Sequence, residues 1–289
     1  MPELPEVETV RRGLAPVMEG YVFDEIEQNR DNLRFPFPSN FKSKLRGKTV
    51  ASLDRRAKYL LAHLCNNDVL IMHLGMSGHF KISGIKSSDI TKEIDHVSTL
   101  HEHIVFYMSG GARIGYFDPR RFGLMDIAGA GELSTHPLLS KLGPEPLGNE
   151  FSECHLNNVF QTKRTNIKSA LLDQRNVAGL GNIYVNEALY RAGINPGRQA
   201  VSLAHNTKNG GSLTRLVIDI KDILREAIEA GGSSLKDHAR PNGELGYFQH
   251  TFSVYGREGK PCLRDGCDGQ IKRILQSGRS TFWCPHCQT

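Results

Sequence analysis

No stretch of this 289-residue chain approaches the roughly 20 consecutive apolar residues that span a bilayer. The first residues, Met1-Pro2-Glu3-Leu4-Pro5-Glu6-Val7-Glu8, are acidic and lack an apolar h-region, which excludes a secretory signal. The chain is therefore expected in the cytoplasm. Its few cysteines, six in all, then read as free thiols or metal ligands rather than disulfides. A strong charge of one sign is also missing: the net charge is only +5. Hydrophobic residues at 39% and charged residues at 23% exclude wholesale disorder. The length suggests two or three domains at roughly 100–200 residues each.

The weak net charge hides an asymmetry. Residues 1–150 carry 18 Lys and Arg against 19 Asp and Glu, whereas residues 151–289 carry 18 against 12. A basic half favours a polyanion, either nucleic acid or an anionic membrane surface.

Four of the cysteines, Cys262, Cys267, Cys284 and Cys287, crowd the last 28 residues as C-x4-C and C-x2-C pairs. Short cysteine pairs at the knuckles of a hairpin supply the four soft ligands of a tetrahedral zinc site. Ile271 to Leu275 and Thr281 to Cys284 are strand-like around a Ser277-Gly278 turn. A module of about 35 residues buries too little core to fold without a metal. His286 could substitute for a ligand but is expected to face solvent. Cys65 and Cys154 have no partner at metal spacing and are expected to be small buried hydrophobes. Arg279, close to the hairpin turn, is a candidate phosphate contact on a zinc-stiffened support.

Residues 166–193 predict a helix, a glycine turn and a second helix. Asn182 is a candidate N-cap. Gly179 and Gly181 fit either a turn that lets backbone N–H groups approach an anion or a plain helical hairpin. A long helix is predicted from Ser212 to about Ala230, where apolar residues repeat at helical spacing until Gly231-Gly232. The polar stretch from Gly231 to Gly246 suits a linker or a lid over substrate. Between Tyr21 and Ala128, short β-rich runs alternate with turns, including a hairpin signal at Met108-Ser109-Gly110-Gly111. This predicts an antiparallel sandwich or barrel, followed by a Pro-containing linker over residues 129–150. At the start, Pro5 suits a first helical position, and Val7, Val10, Leu14 and Val17 form one apolar stripe.

Pro2-Glu3-Leu4-Pro5-Glu6-Val7-Glu8-Thr9 resembles the start of the bacterial formamidopyrimidine-DNA glycosylases. Further matching segments follow in order: Arg55-Arg56-Ala57-Lys58-Tyr59-Leu60, His73-Leu74-Gly75-Met76-Ser77-Gly78 and Asp118-Pro119-Arg120-Arg121-Phe122-Gly123. Leu142-Gly143-Pro144-Glu145-Pro146, Gly179-Leu180-Gly181-Asn182-Ile183-Tyr184, Val254-Tyr255-Gly256-Arg257 and the cysteine cluster complete the series. The resemblance covers essentially the whole chain. It implies an α+β multidomain fold: an N-terminal antiparallel β-sandwich with flanking helices over residues 1–135, a helix-two-turn-helix domain over residues 150–245 and a C-terminal zinc ribbon over residues 253–289. It also implies one structural zinc ion and damaged double-stranded DNA as partner, handled by a monomer in the bacterial cytoplasm.

The implied chemistry is excision of oxidised purines followed by β,δ-elimination. With Met1 removed, Pro2 carries a free secondary amine, and terminal amines titrate near 7.7–8.0 against about 10.4 for lysine. Attack on the sugar C1′ gives an iminium, an electron sink for eliminating the strand phosphates. The resemblance assigns Glu3 as the general acid that opens the deoxyribose ring, although a helix N-terminus favours its ionised form. Lys58 is assigned proton transfer in β-elimination, and Arg279 a phosphate grip serving δ-elimination. Met76, Arg120 and Phe122 correspond to the trio that fills the gap left by the extruded base. His101 and Arg164 fall at positions contacting the DNA backbone, and Asn182 at one gripping the phosphate near the lesion. His101-Glu102-His103 reads as part of a strand rather than as a second metal site.

Three features depart from the family pattern. The first cysteine pair is spaced x4 where many members have x2, residues 83–100 form a longer polar stretch than usual, and the lesion loop near residues 231–248 is variable. Rival readings are an endonuclease VIII-like pyrimidine glycosylase and a zinc-ribbon DNA-binding protein without catalysis.

Overall fold

The computed structural model describes residues 2–84, 100–204, 211–233 and 246–289. Most of the long polar stretch at 83–100 and most of the 231–248 loop therefore lie outside the described residues. The chain divides into two compact units. One comprises residues up to Ser140 together with the described part of Gly231–Gly246; the other comprises Lys141–Ala230 and Tyr247–Thr289.

The first unit opens with α1 (Leu4–Met18), in which Leu4 is the first helical residue and Pro5 the second. It continues through β1 (Phe23–Gln28), α2 (Phe41–Leu45), β2 (Val50–Arg56), β3 (Tyr59–Leu64), β4 (Val69–His73), β5 (His79–Ser83), β6 (Glu102–Met108), β7 (Arg113–Phe117) and β8 (Leu124–Ala128). These strands form two four-stranded antiparallel sheets, ordered β1-β6-β7-β5 and β2-β3-β4-β8. One core joins Val7, Val10 and Leu14 of α1 to Phe23, Phe80 and Phe106 of the first sheet and Leu53, Leu60 and Met72 of the second. Each such side chain contributes about 1.5–3 kcal/mol by leaving water. The expected sandwich is present, and the hairpin at Met108 closes through Gly111 N–H donating to Met108 O at 2.8 Å.

The second unit contains α3 (Glu153–Phe160), α4 (Ile167–Leu172), α5 (Asn182–Arg191), α6 (Ser212–Glu229), β9 (Lys272–Gln276) and β10 (Arg279–Trp283). Its helical core draws Leu156 and Phe160 from α3, Ile167 and Leu171 from α4, Val185 and Leu189 from α5, and Leu216, Ile220 and Leu224 from α6. The stripe expected on residues 212–230 is buried as predicted. The β9–β10 hairpin turns at Ser277-Gly278, whose φ values of 49° and 74° put both residues in the left-handed region, as a two-residue turn that follows the strands' right-handed twist requires. No helix among the described residues is long and apolar enough to cross a membrane.

Several expectations need correction. Asn182 is not an N-cap: Gly181 takes that position with extended backbone, and Asn182 is the first helical residue, its amide donating to Ser280 O. Cys65 and Cys154 are exposed rather than buried. Cys65 follows β3 in a turn with Asn67 at φ 67°, and Cys154 lies in the first turn of α3. His101 stands just before β6 with φ 68°, so only Glu102 and His103 of that trio lie in the strand.

Candidate functional site

In the first unit the chain start is held by carboxylates. Pro2 and Glu3 are buried, and Glu3 caps α1 in a capping box. Glu3 N–H donates to Glu6 Oε2 at 2.8 Å, while Glu6 Oε1 accepts from Ser233 N–H at 2.8 Å and Ser233 Oγ at 2.9 Å. Glu6 thus fixes the backbone beside Pro2 to the start of the 231–246 segment. The composition of that first turn hid this role, because acidic residues there are common for dipole reasons alone.

Lys58 is buried in the two-residue turn between β2 and β3, next to Ala57 at φ 54°. The turn is tied down by Arg55, whose Nη1 donates to Ala57 O at 3.0 Å and whose Nε lies 3.3 Å from Glu8 Oε2 on α1. Burial alone would raise the Glu8 pKa, but Arg11, Arg12 and Arg55 together hold it below the usual carboxylate range.

Met76, Arg120 and Phe122 are brought together by backbone contact. Gly75 has φ +64°, and a Cβ there would lie 2.3 Å from the Phe122 carbonyl carbon and 2.4 Å from Gly123 N, so only glycine lets the two loops touch. The organiser is Asp118, fully buried, whose place at the start of the 118–123 segment gives no sign of this role in the sequence. Its Oδ1 accepts from Ser77 Oγ at 2.6 Å, its Oδ2 from Gly123 N–H at 2.7 Å, and its N–H donates to His101 O at 3.1 Å. Ser77 Oγ in turn accepts from Arg120 N–H at 3.1 Å. The Arg120 guanidinium lies 5.0 Å over the ring of Phe122, which is 44% exposed. A second arginine–phenylalanine pair adjoins it: Arg34 N–H donates to Gly123 O at 3.0 Å, and its guanidinium lies 5.5 Å over exposed Phe35.

His73, at the end of β4, is another residue without a sequence-derived role. Its Nδ1 accepts from Gly75 N–H at 3.0 Å, which leaves the ring proton on Nε2. Burial, then the Lys58 and Arg34 charges, lower its pKa from 6.5 to about 4, with Asp118 opposing. A folded-state pKa below the unfolded value gives stability that is complete above pH 6.5 and lost as the pH falls toward 4. With the residue half-buried, His73→Asn is expected to remove about 2 kcal/mol from the stability difference between pH 7 and pH 4.5. Urea unfolding of both proteins at the two pH values checks this, and an unchanged difference would contradict it.

In the second unit Arg279 is exposed as the first residue of β10, and Arg164 is exposed between α3 and α4. Asn182 and the hairpin meet at one carbonyl. Ser280 O accepts from Asn182 Nδ2 at 3.1 Å and from Lys168 Nζ at 2.9 Å, and Lys168, 1% exposed, also donates to Thr281 Oγ1 at 2.7 Å. Asn182, Asn186 and Tyr190 form a stripe at four-residue spacing along α5 that faces the hairpin and knuckles. Asn186 Oδ1 accepts from Phe282 N–H at 2.9 Å, and Tyr190 OH is 3.3 Å from Cys262 Sγ. Glu187, one residue along, accepts from the backbone N–H groups of Ser253, Val254 and Tyr255 at 2.7–2.9 Å, although burial raises its pKa.

The four sulfurs of Cys262, Cys267, Cys284 and Cys287 lie within 4.8 Å of one another. The Cys262–Cys287 and Cys267–Cys284 separations are 3.8 and 3.7 Å. A tetrahedron with zinc–sulfur bonds of about 2.3 Å has edges of about 3.8 Å, so the cluster fits zinc. His286 is exposed and pairs with Asp268 at 2.9 Å.

Comparison with known proteins agrees with this geometry. Residues 1–125 match the formamidopyrimidine-DNA glycosylase N-terminal domain, 142–239 the H2TH domain of the same enzymes, and 259–289 the zinc finger found in FPG and IleRS. Formamidopyrimidine-DNA glycosylases of Bradyrhizobium sp. (strain ORS 278) and Ruegeria sp. (strain TM1040) are 56% and 53% identical, each covered in full along with this chain. A Lactococcus lactis Fpg solved with N7-benzyl-Fapy-dG DNA superposes with a TM-score of 0.85 at 34% identity over 100% of both chains. The MutM (Fpg) protein of Thermus thermophilus gives 0.83 at 36%, covering 99% of this chain and 98% of its own. With three successive domain matches, full-length relatives above half identity and a sulfur cluster of zinc dimensions, the chain belongs to the formamidopyrimidine-DNA glycosylase family.

Proposed function

We propose that Pro2, freed by removal of Met1, is the nucleophile of a bifunctional DNA glycosylase and abasic-site lyase that excises oxidised purines from duplex DNA. The observation that carries this assignment is the buried chain start, where Glu3 caps α1 and Glu6 anchors the Glu3 backbone. The proline nitrogen attacks C1′ as the bond to the base breaks and its electron pair leaves with the base. Glu3 gives a proton to the ring oxygen as the sugar opens, leaving an iminium at C1′. Lys58 then moves the C2′ proton, and elimination expels the 3′ phosphate and next the 5′ phosphate.

Met76, Arg120 and Phe122 fill the space of the extruded base, with Arg120 hydrogen-bonding the orphaned cytosine. His101, Arg164, Asn182 and Arg279 hold phosphates, which position the duplex without reading its sequence. Zinc supplies structural support to the ribbon when bound. The enzyme acts as a monomer in the bacterial cytoplasm, on chromosomal DNA.

Borohydride reduction with an 8-oxoguanine duplex is the direct test: the expected result is a covalent adduct mapping to Pro2. An adduct at Lys58, or none with active enzyme, would overturn the assignment. The same assay on thymine glycol separates this reading from an endonuclease VIII-like preference.

A further inference from the structure

The enlarged first knuckle places an arginine where it joins the metal site to α5. Among the residues between Cys262 and Cys267, Arg264 folds back onto the C-terminal end of that helix. Its Nη2 donates to Tyr190 O and, at 3.3 Å, to Arg191 O. Its guanidinium lies 5.1 Å over the Tyr190 ring, and its own N–H donates to Cys262 Sγ at 3.5 Å. Tyr190 closes the loop, because its hydroxyl is 3.3 Å from the same sulfur. Tyr190 O also accepts from Gly193 N–H at 3.0 Å, and the last carbonyls of a helix sit at the negative end of its dipole, so a guanidinium is well matched to them. The four-residue knuckle thus supplies a side chain that reaches from the metal site to the end of α5.

We propose that Arg264 is a positioning residue, capping α5 and stacking on Tyr190 so that Cys262, and the zinc ribbon with it, is locked to the helix that begins at Asn182. The lock acts at the opposite end of α5 from the Asn182–Ser280 contact, so the ribbon is held at two separated points. Its consequence for strand cleavage rests on the reading of Arg279 as the phosphate grip for δ-elimination.

Zinc release from the holoenzyme into a chromogenic chelator tests the lock directly, with the fluorescence of Trp283, the sole tryptophan, reporting on the ribbon. Loss of an outer partner of a metal ligand costs roughly 10–100-fold in affinity, so Tyr190→Phe, which keeps the stack but removes the hydroxyl beside Cys262 Sγ, is expected to accelerate release by at least about tenfold. Arg264→Ala keeps its backbone N–H to that sulfur but loses the stack and the α5 carbonyl contacts, and is expected to fall between Tyr190→Phe and the parent. Arg264→Lys donates to a carbonyl without the planar stack and rescues in part. Release at the parental rate from Arg264→Ala would overturn the proposal whatever Tyr190→Phe does, and if no Arg264 variant folds, parental release from Tyr190→Phe would overturn it. The share of δ-eliminated product from an abasic duplex, measured for zinc-loaded Arg279→Ala, judges Arg279 separately: an unchanged share removes the δ-elimination role and leaves the lock standing.

Discussion

Leaving Met1 in place, or adding any residue ahead of Pro2, is expected to abolish base excision and covalent trapping while leaving damaged-DNA affinity within about tenfold of the parent. The lone pair of an acylated proline nitrogen is delocalised into the amide and cannot attack C1′. Removing a nucleophile elsewhere costs about 10⁶-fold in turnover, and a loss of at least about 10⁴-fold in single-turnover excision is expected here. Binding survives because the residues proposed to grip DNA, among them Arg120, Asn182 and Arg279, are untouched. Mass spectrometry establishes the N-terminus of each preparation. Parental trapping yield from protein shown to keep Met1 would sink the proline mechanism, whereas collapse of binding would mean that the start of the chain is chiefly part of the DNA-binding surface.

Stripping zinc is expected to unfold the ribbon and leave the helical core intact. The ribbon's own buried cluster is small, consisting of Tyr190, Val254, Cys262, Ile271 and Cys284. Two of those five residues are metal ligands, and β9 is almost entirely exposed. Structural zinc contributes roughly 10–16 kcal/mol in isolated zinc fingers, far more than this cluster can replace. The bundle around Leu156, Leu189 and Leu216 has a separate core and retains its helical circular dichroism. Chelation should therefore shift Trp283 emission with little loss of helix signal, and weaken DNA binding sharply at physiological salt. Arg279→Ala in the zinc-loaded enzyme should lower the salt slope of binding by about one. Metal-free protein that binds damaged duplex as tightly as the holoenzyme would contradict the ribbon's role in grip.

Legibility in the sequence followed the range of the interactions. The cysteine knuckles, the Ser277-Gly278 turn and the α6 stripe are encoded in short spacings, and each appears in the structure close to where the spacing puts it. α3 escaped because eight residues are too few to establish a helical period, and its one clear signal is Ser152, whose Oγ accepts from His155 N–H at 3.2 Å. The exposed Cys65 and Cys154 defeated a reading from residue type, since a turn and a first helical turn leave small side chains facing water whatever their polarity. The candidate site residues themselves came from motif resemblance, not from local physics. What neither route supplied were the polar organisers: Asp118 spans 41 positions to Ser77, Glu6 spans 227 to Ser233, and Lys168 spans 113 to Thr281. A buried charge is recognisable only once its distant partners are in place, because each half alone looks like a surface residue.

If Arg120 and Phe122 fill the gap as proposed, their stacking bears on how damage is located. Two rotamer-rich side chains already ordered against each other spare roughly 0.5–1.5 kcal/mol each of the ordering cost that insertion would otherwise incur. A wedge ordered in advance would press on each base step that the proposed enzyme meets. The pace of inspection is then governed by how readily a given base pair opens, so that a weakened pair announces itself by yielding first.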